Sequence, residues 1–390
     1  MVWSSIAINV RSTAGNMEGK VEMKKRMIAA LVGAVMSSGA LAQSSVTLSG
    51  RLDEGITYVN NEGGHSNEKM DSGVLFPNLW ILSGHEDLGG GYATLFKLSS
   101  LFNLSNGQLN QQNTLFGQQA WVGIQSPYGT ISLGNQFDFS ADYFGQFNVS
   151  SAGSGYAIHQ GDFDHTNNDR LKNSIKYVSP ELFGGLTFGG MFGFSNTPGS
   201  FHDNSGWSAG AQYANGPLTI ATAYTYVATP TIDPYAQIGV HSFFGQQVAS
   251  VTDNTATDLA PAFQIRSLGT LGVGASYAIG NVTLYGNFSD TVLKYLEEKS
   301  VMHVWEGGAT WQVTPSIQLV GGYQHTGFEG HTWNQVTAAA LYALSKRTQV
   351  YISSDYLKAS AGVDAVIGAS FEPSLTGKQA DVRLGIYHSF

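Results

Sequence analysis

The sequence contains no cysteine and unusually few charged residues. The absence of cysteine excludes structural disulfides, zinc–thiolate sites and cysteine nucleophiles. Charged residues usually make up about a quarter of a soluble domain, but here they make up 12%. The mean hydropathy of -0.07 nevertheless excludes a bundle of membrane helices. What is abundant is glycine (48), phenylalanine (21) and tyrosine (18), a composition typical of a sheet protein with aromatic surfaces.

An N-terminal segment has the anatomy of a secretory signal peptide. Residues 23–42, MKKRMIAALVGAVMSSGALA, combine a basic start, a short apolar run and a small-x-small end. The apolar run is shorter than the ~20 residues that a spanning helix needs. We therefore expect cleavage before Gln43. Residues 1–22 show no pattern, which favours translation from Met23 over a genuine N-terminal extension.

The chain after this segment is strongly acidic. From Gln43 onwards it carries 14 basic and 26 acidic residues, a formal charge of -12. Such a surface argues against nucleic acid as a partner. No fingerprint of a cofactor or of a nucleophile elbow is present, so we expect neither a cofactor nor enzymatic activity.

Two-residue alternation recurs throughout residues 43–390. SVTLSGRLDEGITY near the start places apolar side chains on one side and polar ones on the other, and GKQADVRLGIYHSF at the end does the same. Alternation of this period indicates half-buried β-strands. The breaks between the alternating stretches are of two kinds, short ones near 87–91 or 126–129 and long ones such as 138–169 or 229–267.

Short and long breaks follow one another strictly, and they separate about sixteen strands. A strand of ~9–11 residues is long enough to cross a bilayer when tilted. An outer-membrane barrel has short turns at one end and long loops at the other, whereas a soluble β-sandwich, the alternative, predicts no such alternation. The sequence therefore predicts an all-β fold, a transmembrane antiparallel β-barrel of about sixteen strands in the outer membrane. Its last strand must pair with the first, near 46–59, to leave no open edge.

Several stretches resemble the Gram-negative general porins, of the trimeric type common in betaproteobacteria. The resemblance spans nearly all of 43–390 and is carried by these stretches: SSVTLSGRLDEGITY at 44–58, HEDLGGGYATLFKLSSLFNLSNG at 85–107, LFGQQAWVGIQSPYGTISLGNQFD at 115–138, DRLKNSIKYVSPELFGGLTFG at 169–189, LYALSKRTQVY at 341–351 and the terminal Phe390. The resemblance implies a sixteen-stranded homotrimer among outer-membrane lipid and lipopolysaccharide, with a third long loop, 138–169, folded into the lumen. It also implies that the assembly machinery reads Phe390.

If the resemblance holds, solutes diffuse through an aqueous bore and the charges at its narrowest part set selectivity. Acidic candidates for that constriction are Asp162 and Asp164 in the inward loop, with Asp138 and Asp142 near its base. Strand parity predicts these polar-face residues on the wall: Arg51, Asp53, Lys97, Arg170, Lys172, Lys176 and Arg383.

The sequence departs from the family pattern at positions that usually carry basic wall residues. These positions are neutral here: Leu79, Ser83, Gln118, Asn135 and Tyr387. The substitutions predict a pore that is weakly cation-preferring or nearly unselective. Glu54 has the parity of the lipid-facing set, where a carboxylate is costly; an interfacial position, a trimer neighbour or a local bulge would each relieve the cost.

Other features have competing interpretations. His159, Asp162, Asp164 and His165 are metal-ligand types, but their spacing fits no calcium loop and favours a hydrated pore loop. Tryptophans such as Trp305 and Trp333 are expected mainly in an interfacial girdle.

Besides a passive porin, the sequence leaves open a substrate-specific channel, motivated by Leu79 and Ile81. An outer-membrane enzyme lacks a catalytic cluster, and an adhesin role for 229–267 is compatible with a porin.

Overall fold

A single antiparallel sheet closed on itself dominates the structure, a computed structural model that describes residues 44–167, 169–252 and 255–390. Residues Ser45–Phe390 form one compact unit. The expected signal peptide, 23–42, and the preceding 1–22 lie outside the described residues. Over the part of the chain that is described, no helix has the length and apolar character needed to span a membrane.

The strands, in chain order, are β1 (Ser45–Glu62), β2 (His65–Ser72), β3 (Leu79–Gly89), β4 (Tyr92–Leu101), β5 (Gln119–Ser126), β6 (Gly129–Phe137), β7 (Arg170–Val178), β8 (Leu186–Gly193), β9 (Gly206–Asn215), β10 (Leu218–Ala228), β11 (Thr231–Ile232), β12 (Ser242–Phe243), β13 (Gln246–Gln247), β14 (Ala249–Thr252), β15 (Thr255–Asp258), β16 (Phe263–Gln264), β17 (Ser267–Ile279), β18 (Val282–Tyr295), β19 (Glu298–Thr314), β20 (Ile317–Phe328), β21 (His331–Ala343), β22 (Thr348–Ala359) and β23 (Lys378–Ser389). Two short helices, α1 (Asn110–Asn113) and α2 (Pro234–Ile238), lie in connections.

The barrel has sixteen strands, as the sequence predicts. Strands β11–β16 form three small two-stranded sheets within the connection between β10 and β17. Segments β2 and β3 both pair with β1, one beside each half of it, and so form one interrupted barrel strand. Residues 73–78 are inserted between these two segments, and we call them the 73–78 loop.

The first and last strands close the sheet. β1 pairs with β23 from Arg51 opposite Ser389 to Val59 opposite Asp381. Gly50 and Phe390 exchange main-chain hydrogen bonds of 3.1 and 3.0 Å. The predicted pairing of the chain's final strand with its first is confirmed.

Side chains alternate between two faces of the barrel wall. In β1, Ile56 is 62% exposed, while its neighbour Thr57 is fully buried. The first face, which we call the apolar face, continues in the other strands with the exposed side chains of Val122, Ile131, Leu133, Ile175, Leu284, Leu319, Val336, Ile352, Leu384 and Ile386. The opposite, polar face carries Ser132, Ser174, Thr225, Ser289, Thr291, Gln335, Asp355 and Arg383, all buried. Because lipid offers no hydrogen bonds, the apolar face is the one suited to a membrane.

Connections alternate between a short-turn end and a long-loop end, as expected. Three connections that the sequence predicts to be long are nevertheless tight, at Gly63–Gly64, Leu296–Glu297 and Glu329–Gly330. The adjoining strands extend instead, and β1 and β19 reach 18 and 17 residues rather than about ten. The hairpins continue beyond the length that crosses a bilayer, because backbone pairing does not require lipid.

An apolar cluster fills one side of the long-loop end. It combines wall residues such as Leu293, Met302 and Trp333 with Ile238 and Phe243 from the 229–266 connection. Val363 and Ile367 of the 360–377 connection join the same cluster. The two connections therefore cover β17–β22 at this end.

Candidate channel constriction

Segment 138–169 packs against the polar face of strands on several sides of the barrel. Phe139 N donates to Ser208 Oγ of β9 at 3.0 Å, and Ser154 Oγ donates to Asp355 of β22 at 2.6 Å. Tyr156 OH lies 2.9 Å from Thr57 Oγ1 of β1. The segment thus contacts strands that are far apart around the wall.

Phenylalanines of this segment pack directly against glycines of the polar face. A Cβ added to Gly272 or Gly274 of β17 would lie 2.6 Å from the Phe144 ring or 2.2 Å from the Phe147 ring. A Cβ added to Gly210 of β9 would lie 2.8 Å from the Phe139 Cβ and 3.2 Å from its ring. Part of the abundant glycine therefore makes room for aromatic anchors, a role that single-sequence patterning does not reveal.

Asp164, a predicted constriction acid, is buried in an ion pair. His159 Nδ1 lies 2.5 Å from Asp164 Oδ2, and His159 Nε2 lies 3.4 Å from Glu306 Oε2. Burial opposes the charge on His159, but the two carboxylates outweigh it and raise its pKa to about 10. Burial alone would raise the pKa of Asp164, but His159 and a 2.6 Å bond from Ser289 Oγ lower it. Asp164 is therefore a structural anion.

The other predicted acids of the segment are also engaged. Asp138 is fully buried and accepts from His165 Nδ1 at 2.9 Å. Burial opposes protonation of His165, but Asp169 and Asp138 raise its pKa to about 10. Asp162, half-buried, accepts from the backbone N–H groups of Thr166 and Asn167; burial and neighbouring carboxylates raise its pKa.

Asp142 and Lys176, both predicted, form a third pair. Lys176 Nζ donates to Asp142 Oδ2 and to Phe137 O, and it lies 4.5 Å from the Phe139 ring centroid. Burial raises the pKa of Asp142, and Lys176 partly offsets this effect. The pair attaches the start of segment 138–169 to β7.

Asp53 and Arg383 form a fourth pair, wholly buried in the wall. Arg383 Nη2 lies 3.1 Å from Asp53 Oδ1, and Tyr351 OH bonds to both residues. Asp53 also accepts from Val74 N at 2.8 Å and from Leu75 N at 3.2 Å. The two predicted wall charges thus compensate each other and hold the 73–78 loop.

Sequence reasoning missed the 73–78 loop, GVLFPN, although Gly73 and Pro77 were available as breaker signals. A Cβ added to Gly155 would lie 1.5 Å from Val74 O, so this loop touches segment 138–169 closely. Phe76 lies under the Arg51 guanidinium at 5.3 Å. The loop therefore braces the segment and presents an aromatic ring beside a wall cation.

Two cavities adjoin at Arg51 and Phe137, which line both of them. The larger, about 780 Å³, lies between segment 138–169 and the 73–78 loop and is also lined by Arg170 and Asp71. The smaller, about 370 Å³, is lined by Lys97 with Leu79, Ile81 and Tyr387. Of the predicted cations, Arg51 thus lines both cavities, Arg170 lines the larger one and Lys97 lines the smaller one.

Lys172 does not join these cations. Asn173 has a left-handed φ of 51°, and the pairing register of β6 with β7 slips between Gly134 and Gln136. This bulge reverses the side-chain alternation, so Leu171 is buried and Lys172 is exposed. The parity prediction for Lys172 is wrong because a bulge adds one residue to the strand.

Glu54 lies on the apolar face, as its parity predicts. Its carboxylate accepts from Gly55 N at 3.3 Å and from Ser105 Oγ at 3.0 Å. Ser105 belongs to the 102–118 connection, which reaches across to β1.

The described residues contain no cluster of three or more acidic or histidine side chains placed to hold a metal. His159 and His165 are engaged in the ion pairs above.

Comparisons with known proteins agree with this architecture. The family model for Gram-negative porins matches residues 28–362. An outer membrane porin protein of Bordetella pertussis is 30% identical, with 94% of this chain and 100% of the relative covered.

Two solved structures are similar in fold. The anion-selective porin from Comamonas acidovorans has a TM-score of 0.73 at 22% identity, covering 89% of this chain and 100% of that one. The trimer form of OmpT from Vibrio cholerae has a TM-score of 0.65 at 14% identity, covering 89% and 99%. With the closed sixteen-stranded barrel and the match over most of its length, the chain belongs to the Gram-negative porin family of the outer membrane.

Proposed function

We propose that the protein is a passive diffusion channel for small hydrophilic solutes, narrowed where segment 138–169 crosses the barrel interior. The contacts of this segment with the polar face of β1, β9 and β22 support this placement. The observation that carries the proposal is the pair of adjoining cavities beside the segment, lined by polar and cationic side chains. No chemical step is required.

We further propose that the constriction favours anions, opposite to the expectation from the neutral wall positions. Four of the five predicted acids, Asp53, Asp138, Asp142 and Asp164, are each bound to a cationic partner. The fifth, Asp162, accepts from backbone N–H groups, and burial with neighbouring carboxylates raises its pKa. Arg51 and Lys97 have no such ion pair among the described residues. A narrow passage of low dielectric amplifies a few uncompensated charges, and the structurally similar Comamonas porin is described as anion-selective.

Planar-bilayer recording of the purified protein tests both points. We expect stepwise conductance in KCl and, under a salt gradient, a reversal potential of anionic sign. Replacing Arg51 and Lys97 by glutamine should shift that potential toward the cationic side. Lys172→Gln should leave it unchanged, because Lys172 is exposed and does not join these cations. Cation preference in the unmodified protein would contradict the proposed selectivity, and absence of conductance would contradict the channel.

We propose a homotrimer as the assembled state. The trimer form of the structurally similar OmpT and the family membership support it. Glu54, a carboxylate on the apolar face, would then lie beside a neighbouring subunit rather than in lipid. Light scattering of the detergent-solubilised protein should give the mass of three chains; a monomer at all concentrations would contradict this.

We also propose that residues 23–42 direct export and that Phe390 serves the assembly machinery that inserts the barrel among lipid and lipopolysaccharide. The basic–apolar–small pattern supports the first role. The main-chain pairing of Phe390 with Gly50 at the barrel seam supports the second. N-terminal sequencing of outer-membrane protein should begin at Gln43, and Phe390→Ser should reduce the amount assembled there.

A second candidate is a channel with a solute-binding site in the bore. The specific observation in its favour is the smaller cavity, where Ile81 and Tyr387 face the same space as Arg51 and Lys97. Saturation of solute flux separates this candidate from simple diffusion.

A further inference from the structure

The smaller cavity combines two cations with apolar side chains, a mixture that free diffusion of ions does not need. Pairing registers put the members on one face, with Ser49 opposite Ile81, Arg51 opposite Leu79 and Ser389, and Asp53 opposite Tyr387. Lys97 lies opposite Ser83 on the adjacent strand. These side chains therefore belong to one continuous patch of the wall, across β23, β1, β3 and β4.

The charges in the patch are available to a solute. Among the described residues, Arg51 uses only its Nε in hydrogen bonding, to Pro77 O at 3.2 Å, which leaves the terminal amino groups of its guanidinium. Asp142, whose charge acts on Lys97, is itself bonded to Lys176. A guanidinium and an ammonium that line one cavity can both donate to a carboxylate, and such charge-assisted hydrogen bonds are about twice as strong as neutral ones.

The apolar part of the patch lies beside these charges. Ile81 and Tyr387 are half-buried, and Phe137 separates this cavity from the larger one. The Tyr387 ring packs on Phe76 at 5.0 Å between centroids, which fixes its position. In a water-filled bore, a solute with an apolar body removes the apolar surface of these side chains from water, and this burial favours binding.

The size of the cavity admits such a solute. Its volume of about 370 Å³ falls within the roughly 300–1,000 Å³ of ordinary ligand pockets. Gln118, Gln119, Ser49 and Ser389 also line it and can bind water or a polar substituent.

We infer that this cavity is a transient binding site for monocarboxylates that carry an apolar body, with the carboxylate at Arg51 and Lys97 and the apolar body against Ile81 and Tyr387. The inference rests on the proposed channel function and specifies one class of solute for it. Binding is weak enough for release, since a conducted solute must leave as readily as it enters.

Benzoate is the probe, measured as block of KCl current through the reconstituted protein. We expect saturable block by benzoate at millimolar concentrations. Acetate has the charge without the apolar body, benzyl alcohol has the body without the charge, and benzylamine reverses the charge. Each of these three should block at least about tenfold more weakly, since losing either set of contacts removes on the order of one tenfold step in affinity.

Two variants separate the two halves of the site. Ile81→Ser should weaken benzoate block about tenfold without altering block by acetate, whereas Lys97→Gln should weaken both. Lys172→Gln is the matched control and should match the unmodified protein. Normal KCl conductance with no saturable benzoate block, or equal block in Ile81→Ser, overturns the inference but not the channel. Absence of any KCl conductance overturns the channel itself.

Discussion

At the scale of single residues, pairing decides which charges a solute can meet. Asp164 and Asp138 are acids within segment 138–169, yet each is held by a histidine of that segment. Arg51 instead stacks on Phe76 and lines both cavities. Counting charges along the chain gives an acidic protein, whereas the charged side chains that line the two cavities are mainly basic. Asp164 and Asp138 do not offset them, because each is paired with its histidine.

The ion pair of His159 and Asp164 predicts a defined pH window for the order of segment 138–169. The pKa of His159 is raised to about 10 from an unfolded value of about 6.5, so its contribution is complete below about pH 6.5 and is lost as pH rises through about 10. The pKa of Asp164 is lowered, so its contribution is present above about pH 4 and is lost as pH falls through the lowered value.

Single-channel conductance and its noise, followed from pH 5 to 11, measure this effect. We expect steady current up to about pH 9 and increasing noise near pH 10, as the segment loosens. His159→Gln, which keeps a hydrogen-bonding side chain but cannot titrate, should be noisier at neutral pH and should show a smaller alkaline transition, because His165, whose pKa is also raised to about 10, still titrates. An unchanged transition in this variant would assign it to another group.

At the scale of elements, glycine in the wall and phenylalanine in the segment fit each other. Gly272 and Gly274 are two residues apart in β17 and face the same side, where the rings of Phe144 and Phe147 rest on them. The strand pattern around these glycines reads as ordinary alternation with small residues. Only the partner element shows why a larger side chain cannot occupy these positions.

Gly274→Val should displace Phe147 and loosen segment 138–169. Overpacking of this kind costs about 1–3 kcal/mol, so the urea midpoint in detergent should fall and the conductance should change. Gly307 of β19 is the matched control, because an added Cβ there meets no atom closer than 4.0 Å. A Gly307→Val protein that changes as much as Gly274→Val would show that strand glycine itself, rather than ring packing, is responsible.

At the scale of the whole molecule, a closed barrel makes the interior and the exterior very different environments for one residue type. Trp305 is 56% exposed on the apolar face, and its ring lies 4.2 Å from the Phe288 ring, centroid to centroid, in a tilted arrangement. Trp333 is 1% exposed within the apolar cluster, and its Nε1 donates to Asp364 O at 3.4 Å. The girdle expectation is therefore wrong for Trp333, whereas for Trp305 it stays a prediction.

Trp333→Ala should destabilise the barrel far more than Trp305→Ala. Truncating a large buried aromatic typically costs about 3–5 kcal/mol, and Trp333 joins wall strands to the 229–266 and 360–377 connections. Denaturant unfolding in detergent micelles, followed by tryptophan fluorescence, compares the two variants. Equal midpoints would contradict the buried position of Trp333.

The sequence by itself determined the barrel, its strand number, the pairing of the last strand with the first and the membership of the porin family. These follow from two-residue alternation and from the order of short and long breaks, which are local properties that lipid and backbone hydrogen bonding enforce. Alternation also placed Arg51, Lys97 and Glu54 on the correct faces. It failed at Lys172, because a bulge at Asn173 shifts the parity without leaving a clear mark in the sequence.

Only the tertiary structure decided which predicted charges pair and which remain available. Asp53 and Arg383 are 330 positions apart in the chain, and they meet because the first and last strands of the barrel are neighbours. The 73–78 loop and segment 138–169, also separate in the chain, contact each other at Val74 and Gly155. Ion pairing depends on distances in space, which local patterning does not encode, and the selectivity of the channel is therefore a property of the folded barrel.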